Sequence, residues 1–453
     1  MRTLGILLAV LTVFAAGSGL TLALWRRSGA ILAAEFFGLA WLLGAGVVSA
    51  LLALAGIGLT GGALFAVVTL GTLLLGALGV QRLREGARIE TGWAGAPAWE
   101  KWLSVIALIP IGYIAAVTFR DAMNWDGLLI WESKARHAFL AGGSLPAEYF
   151  SDATRVRNHP NYPLYLPFTE LWVYLWIGDC DQTAVKAIFP IFYAAAMALL
   201  WSATWRLSGR LWVAALTALV PLFVPLMADH GLGLLQSYAD FLLGSVYLAA
   251  VGALLVWRLK GVEGAWPVAV ACAALLPWIK QEGMLLLGSL VLLAALVHGW
   301  RDWKRTLLFA LPGIGIVVAW RIAMHSVHVV DGTAFQALTL ENLRANLPRL
   351  GPIIYLMGAQ LALLKAWSLL WLAVPVALAC LAAQRRREAL WLAVALLVPL
   401  LLDVIPYLFT RLDLVFHIAT SLDRLILQLS LVAVLCLGLA LEGSRRPPAP
   451  PGA

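Results

Sequence analysis

Asp126, Asp240 and Lys280, each at the end of an apolar run, and the cationic group Arg155, Arg157 and His159 are the residues in this 453-residue chain best suited to chemistry. A carboxylate at the end of a membrane span, only partly hydrated, can accept a proton from a bound hydroxyl. Two arginines one residue apart can grip a phosphate with paired hydrogen bonds. Several of these positions lie in residues 120–165, a polar stretch that also carries Lys134, Arg136, Tyr162 and two of the seven histidines, in a chain that is only 12% charged. Ionisable side chains kept among apolar segments are costly, and they mark function by default.

The elements that position these residues follow from composition. With 62% hydrophobic residues and a mean hydropathy of +0.89, the chain cannot hide its apolar surface in one soluble core. Its fold class is therefore an all-α polytopic membrane protein. The apolar runs are continuous and do not alternate, which specifies helices and excludes a β-barrel. Read against a hydrocarbon core of about 30 Å, they give about 13 spans, over 3–25, 29–57, 62–81, 103–119, 184–205, 211–227, 238–257, 265–279, 283–299, 306–324, 360–383, 389–409 and 425–442.

The net charge of +8 does not point to nucleic acid. The basic residues form short clusters between spans: Arg26-Arg27, Arg82/Arg84/Arg88/Lys101, Arg206/Arg210, Arg258/Lys260, Arg301/Lys304/Arg305, Arg385-Arg386-Arg387 and Arg445-Arg446. Their alternation marks the cytoplasmic ends. It places the polar stretch, Asp229–Asp240, Lys280-Gln281-Glu282, 325–350 and 411–424 together on the outer side. The N-terminal run to Trp25 continues past a plausible cleavage point near Ala15-Ala16-Gly17 and is read as an uncleaved first span. The four cysteines suggest neither a disulfide framework nor a zinc site.

Two amphipathic segments are predicted to lie on the membrane surface as interfacial helices of this large outer loop. In 128–140, Trp131, Ala135 and Phe139 form an apolar stripe while Glu132, Lys134 and Arg136 face away. In 162–178, an interfacial or re-entrant helix is expected, with Trp172, Tyr174 and Trp176 at headgroup depth. The Gly- and Ala-rich first three spans suit close helix packing. A second charged group, Arg411, His417, Asp423 and Arg424, falls on the same outer side, where Arg424 could reach a phosphate; Asp403 reads as a polar packing residue. Asp179-Cys180-Asp181 is read as a polar turn, and His325, His328 and Asp331 lack the ligands of a metal site. No phosphate-binding glycine loop is present. Residues 445–453 read as a disordered tail.

The order of short motifs on this outer side resembles the GT-C class of polytopic glycosyltransferases, especially bacterial lipid A aminoarabinose transferases and protein O-mannosyltransferases. The resemblance rests on Trp125-Asp126, then Lys134-Ala135-Arg136 with the turn Leu140-Ala141-Gly142-Gly143, then His159-Pro160-Asn161-Tyr162-Pro163-Leu164, then Ser237-Tyr238-Ala239-Asp240, then Trp278-Ile279-Lys280. It spans residues 103–300. Where the aminoarabinose transferases usually carry a lysine just before the prolines, this chain has Asn161-Tyr162-Pro163, so any phosphate contact made there falls to Arg155, Arg157 or His159.

The resemblance implies a GT-C-like catalytic core over 99–325, with its outer loop at 120–183, flanked by membrane helices at 1–98 and 326–444. It implies transfer of a sugar from a polyprenyl-phosphate donor to a glycan, lipid or protein acceptor at the periplasmic or outer face of a bacterial inner membrane. Such transfer needs a base for the acceptor hydroxyl, cations or a metal for the departing phosphate, and a groove for the lipid tail. Asp126 is the expected base. Asp240 is expected to orient the acceptor or contact a divalent cation such as Mg or Mn. Lys280, Arg155, Arg157, His159, Arg424, Lys134 and Tyr162 are expected to bind substrate. A multispan transporter or lipid flippase is the competing expectation.

Overall fold

The computed structural model describes residues 2–25, 29–120, 122–232, 237–330 and 334–442, without the side chains of residues 230–232 and 300. Arg26-Arg27, Asp121, Asp331, Arg445-Arg446 and the predicted tail lie outside the described residues. Among the described residues, nine helices are long and apolar enough to cross a membrane: Arg2–Leu24, Ala33–Ala55, Gly61–Arg84, Ala98–Thr118, Gln182–Ser208, Ala239–Lys260, Trp303–Ser326, Glu388–Leu408 and Leu414–Leu441. Four shorter apolar helices, Leu211–Phe223, Ala265–Ile279, Gly283–His298 and Leu370–Ala383, overlap four of the remaining predicted spans. The chain is an all-α, multi-pass membrane protein.

Small residues set the packing of the first three helices. A Cβ on Gly17 would collide with the Ala40 carbonyl, and one on Gly19 with the Leu75 carbonyl. Backbones therefore approach closely enough for dispersion to hold them where lipid supplies no hydrophobic drive. The predicted second span begins late, because Ile31–Leu32 is extended and pairs in parallel with Ile89–Glu90. Beside this pair, Arg206 bonds Glu35 at 2.7 Å and the Ala30 carbonyl at 3.0 Å. Those contacts gather one basic end of the bundle.

The outer loop departs from the surface arrangement predicted for it. Its first helix opens as a π-helix, Gly127–Glu132, and continues as Ser133–Leu140. Trp131 and Ala135 face inward as predicted, but Glu132 and Lys134, predicted to face away, are buried too. The second helix, Tyr165–Ile177, is enclosed by protein, with Trp172 and Tyr174 fully buried. The Trp172 indole donates to Thr12 Oγ1 at 3.0 Å and the Tyr165 hydroxyl to the Leu42 carbonyl at 2.7 Å. Their polar tips find partners on the first two helices, so no interface is needed to satisfy them.

One apolar core runs from Ala9 to Leu439 and takes in all three predicted membrane segments.

Candidate functional site

Asp126, Asp240, Lys280 and Arg424 converge in one charged network although they are up to 298 positions apart. Arg424 is the hub. Its Nη1 donates to Asp126 Oδ2 at 2.6 Å and its Nε to Asp240 Oδ2 at 2.9 Å. Asp240 Oδ1 accepts from Lys280 Nζ and from Gln428 Nε2, both at 2.8 Å. Lys280 also pairs with Glu282 at 2.9 Å. The Tyr238 ring lies 4.7 Å from the guanidinium, a cation–π contact.

Local sequence explains how each side chain gets there. Asp240 sits in the first turn of Ala239–Lys260, where the helix dipole favours a carboxylate. Lys280 is extended at a tight corner between two helices, after Pro277 and before Gly283. Its backbone carbonyl accepts from the Gly283 N–H at 3.0 Å, which closes the corner and turns the lysine inward. Arg424 and Gln428 are one helical turn apart on Leu414–Leu441, so they share a face. Asp126 immediately precedes the π-helix, a geometry that often marks functional sites.

Gly127 lets that turn approach the Ser237–Tyr238 segment: a Cβ there would overlap Ser237 Oγ and Cβ. Gly127→Ala is expected to push Asp126 off Arg424 and lower the melting temperature, because the overlap with Ser237 must be relieved by backbone movement. Thermal melting in detergent checks this; an unchanged midpoint would mean that the approach is unimportant.

A roof of loop residues covers the network. Lys134 Nζ donates to the Ile130 carbonyl at 2.8 Å and to the Asn158 carbonyl at 3.0 Å. It also lies 5.7 Å from the Trp131 ring and 5.9 Å from the Tyr162 ring. Asn158 returns a bond from Nδ2 to the Leu129 carbonyl, and Trp320 donates to the Asn161 carbonyl at 3.0 Å. His159 adopts a left-handed conformation (φ 47°) and stacks on Tyr162 at 4.7 Å. Burial, reinforced by the Glu282, Asp240 and Asp126 carboxylates, raises the Tyr162 phenol well above its ordinary value, so it stays protonated beside the network.

Beneath the roof, Glu170 is buried with neither carboxyl oxygen hydrogen-bonded. Burial, then the Glu132 charge, holds it well above the usual carboxylate range. Burial pushes Lys134 down to about 7 from 10.5, with the Glu170 charge opposing. Between those two values the unfolded chain holds a proton that the folded chain has released. Stability therefore rises with pH through that window, by at most about 1.4 kcal/mol per unit. Parent protein in detergent is expected to gain melting temperature relative to Lys134→Met between pH 7 and 9.5. A constant difference would show that Lys134 keeps its proton in the fold.

The predicted substrate-binding residues divide. Arg424 joins the network and Tyr162 lies beside it. Lys280 is enclosed, only 3% exposed, between Asp240 and Glu282, so it pairs carboxylates and does not face an open phosphate site. Lys134 is buried under the roof and also offers no surface to a ligand. Arg155 is committed to Asp152 at 3.1 Å, His137 at 2.8 Å and the Tyr149 ring. Arg157 and His159 are exposed. Asp179 and Asp181 both pair with Arg2, consistent with a polar turn.

No protein-family model matches the chain, nor does any curated protein or solved structure. The site therefore stands on its own geometry. Asp240, expected to orient the acceptor or contact a divalent cation, shares the Arg424 guanidinium with Asp126. Among the described residues, no three His, Cys, Asp or Glu side chains come together as a metal group. Both carboxylates are engaged by cationic side chains here.

Sequence reasoning missed Gln428, Glu282 and Glu170 as parts of the site and its support. A glutamine one turn after an arginine inside an apolar run was the available signal for Gln428.

Proposed function

We propose that this chain is a GT-C-like membrane glycosyltransferase that moves a sugar from a polyprenyl-phosphate donor to an acceptor hydroxyl on the outer face of a bacterial inner membrane. The observation that carries the reading is the convergence of Asp126, Asp240, Lys280 and Arg424 at one end of the helix bundle. Asp240 and Arg258 lie near opposite ends of one helix, about 27 Å apart at 1.5 Å per residue. If the basic clusters mark the cytoplasm, the network faces outward, and about 13 spans account for the alternation.

Asp126 takes the role of base because its side chain is 20% exposed while Asp240 is fully buried. The acceptor hydroxyl gives its proton to Asp126 as its oxygen attacks the anomeric carbon, and the bond from that carbon to the phosphate oxygen breaks. One displacement inverts the anomeric centre. Arg424 faces the phosphate as negative charge builds on the leaving group, in a site with little water to compete. Lys280 and Gln428 hold Asp240, which in turn fixes Arg424. Arg157 and His159, exposed on the roof, are placed to meet the donor or acceptor from outside.

The test is incubation of purified protein in liposomes with a labelled polyprenyl-phosphate sugar and a cell-envelope extract supplying acceptors. A covalently labelled product supports the reading. The transporter or flippase reading draws on a different observation, the mutual pairing of every charged group in the network, as in ion-coupled carriers. Flux of labelled lipid across sealed vesicles without covalent product would decide for it.

A further inference from the structure

We infer that the ion pair between Arg424 and Asp126 is a latch over the base, opened by the donor phosphate, so that donor binds before acceptor. The inference rests on the transferase reading and adds an order of events to it.

Charge arithmetic supplies the first argument. The network holds three carboxylates, Asp126, Asp240 and Glu282, against two cations, Lys280 and Arg424. Both of these cations are engaged by carboxylates. A phosphate can reach Arg424 Nη1 only by displacing Asp126.

Geometry then selects which pair opens. Lys280 is 3% exposed and flanked by two carboxylates. Asp240 has no exposed surface and accepts from Lys280, Gln428 and Arg424. Asp126 and Arg424, at 20% and 18% exposure, form the accessible pair, and Arg424 Nη1 supplies the ion pair to Asp126. Arg424 would stay seated during the exchange, because Asp240 holds its Nε and the Tyr238 ring lies against its face. Asp126 thus leaves while the guanidinium remains.

The consequence is chemical. While latched, Asp126 Oδ2 accepts from the guanidinium, which holds the carboxylate against Arg424 and away from an incoming hydroxyl. A phosphate oxygen that replaces it on Nη1 frees the carboxylate to turn toward the acceptor beside the anomeric carbon. No covalent step occurs in the exchange. An acceptor arriving first, including water, meets a masked base, which protects the donor from hydrolysis.

The experiment measures binding of a polyprenyl monophosphate to purified protein in detergent, for the parent and for Asp126→Asn. Removing the competing carboxylate is expected to tighten binding about tenfold, the worth of one charge-assisted hydrogen bond. Asp126→Ser, expected to tighten binding likewise, serves if the asparagine variant fails to fold by size-exclusion elution and melting. Parent binding with equal or weaker binding by folded variants overturns the latch and leaves the transferase reading intact. No binding by the parent or either variant overturns both.

Discussion

Asp126→Asn is expected to abolish sugar transfer, lowering kcat by about a thousandfold, within the range assigned to a positioned general base. The substitution preserves shape and leaves one amide oxygen that can still accept from Arg424, now without a charge. Asp240 remains on the other edge of the guanidinium through its 2.9 Å bond. The hub therefore keeps one carboxylate, and the melting temperature in detergent is expected to fall by only a few degrees. The loss should appear in kcat, because the acceptor hydroxyl would have no base, while the donor KM stays level or drops. Retention of a tenth or more of parental kcat would remove Asp126 from the chemistry. A large loss together with aggregation would be uninformative about mechanism, so size-exclusion elution accompanies the assay.

Much of the architecture was legible because the bilayer imposes one rule on every span: backbone groups must be satisfied within the segment. The runs around Ala33–Ala55 and Ala239–Lys260 could only be helices, and nine helices of spanning length are present among the described residues. The outer loop was legible in part. Trp131 and Ala135 were read to the buried side from their spacing, but Lys134 and Glu132 were assigned to solvent because charge usually marks the wet face.

That rule failed where partners came from elsewhere in the chain. Lys134 is held by the Asn158 carbonyl, 24 positions away, and Glu132 by the Tyr174 hydroxyl at 2.7 Å, 42 positions away. Trp172 and Tyr174 show the same dependence on distant partners. Aromatic residues with polar tips suit a headgroup region, and they suit a protein interior equally well when Thr12 or Glu132 is there to meet them.

The candidate site shows the same limit. Asp126, Asp240 and Lys280 each sit at a span end within a short motif. Their proximity to one another is a tertiary fact that spacing does not contain. The sequence places Arg424 at the opening of a span beginning at 425, within reach of a phosphate. The helix begins at Leu414, which puts the arginine three turns inside, on the face that meets Ala239–Lys260.

Arg424→Gln should therefore cause the larger structural loss of the two substitutions. It strips the guanidinium from both Asp126 and Asp240, and Asp240 has no exposed surface through which water could compensate. Breaking a buried pair by removing one partner costs about 3–5 kcal/mol, because a desolvated charge is left behind. Part of that cost is relieved here by Lys280 and Gln428, which still donate to Asp240 Oδ1. The expected result is a melting temperature lowered by about 5 °C, more than Asp126→Asn produces, together with loss of detectable polyprenyl-phosphate binding.

Arg424→Lys separates charge from geometry. An ammonium can reach one carboxylate but cannot span two with a planar fork, so stability should recover in part while transfer stays low. The decisive comparison is a double-mutant cycle. If Arg424 and Asp126 are energetically coupled, adding Asp126→Asn to Arg424→Gln should cost much less than it does in the parent, or restore stability outright. Additive losses would mean that the 2.6 Å contact carries no coupling energy, and that Arg424 is held in place by Asp240 and the Tyr238 ring alone.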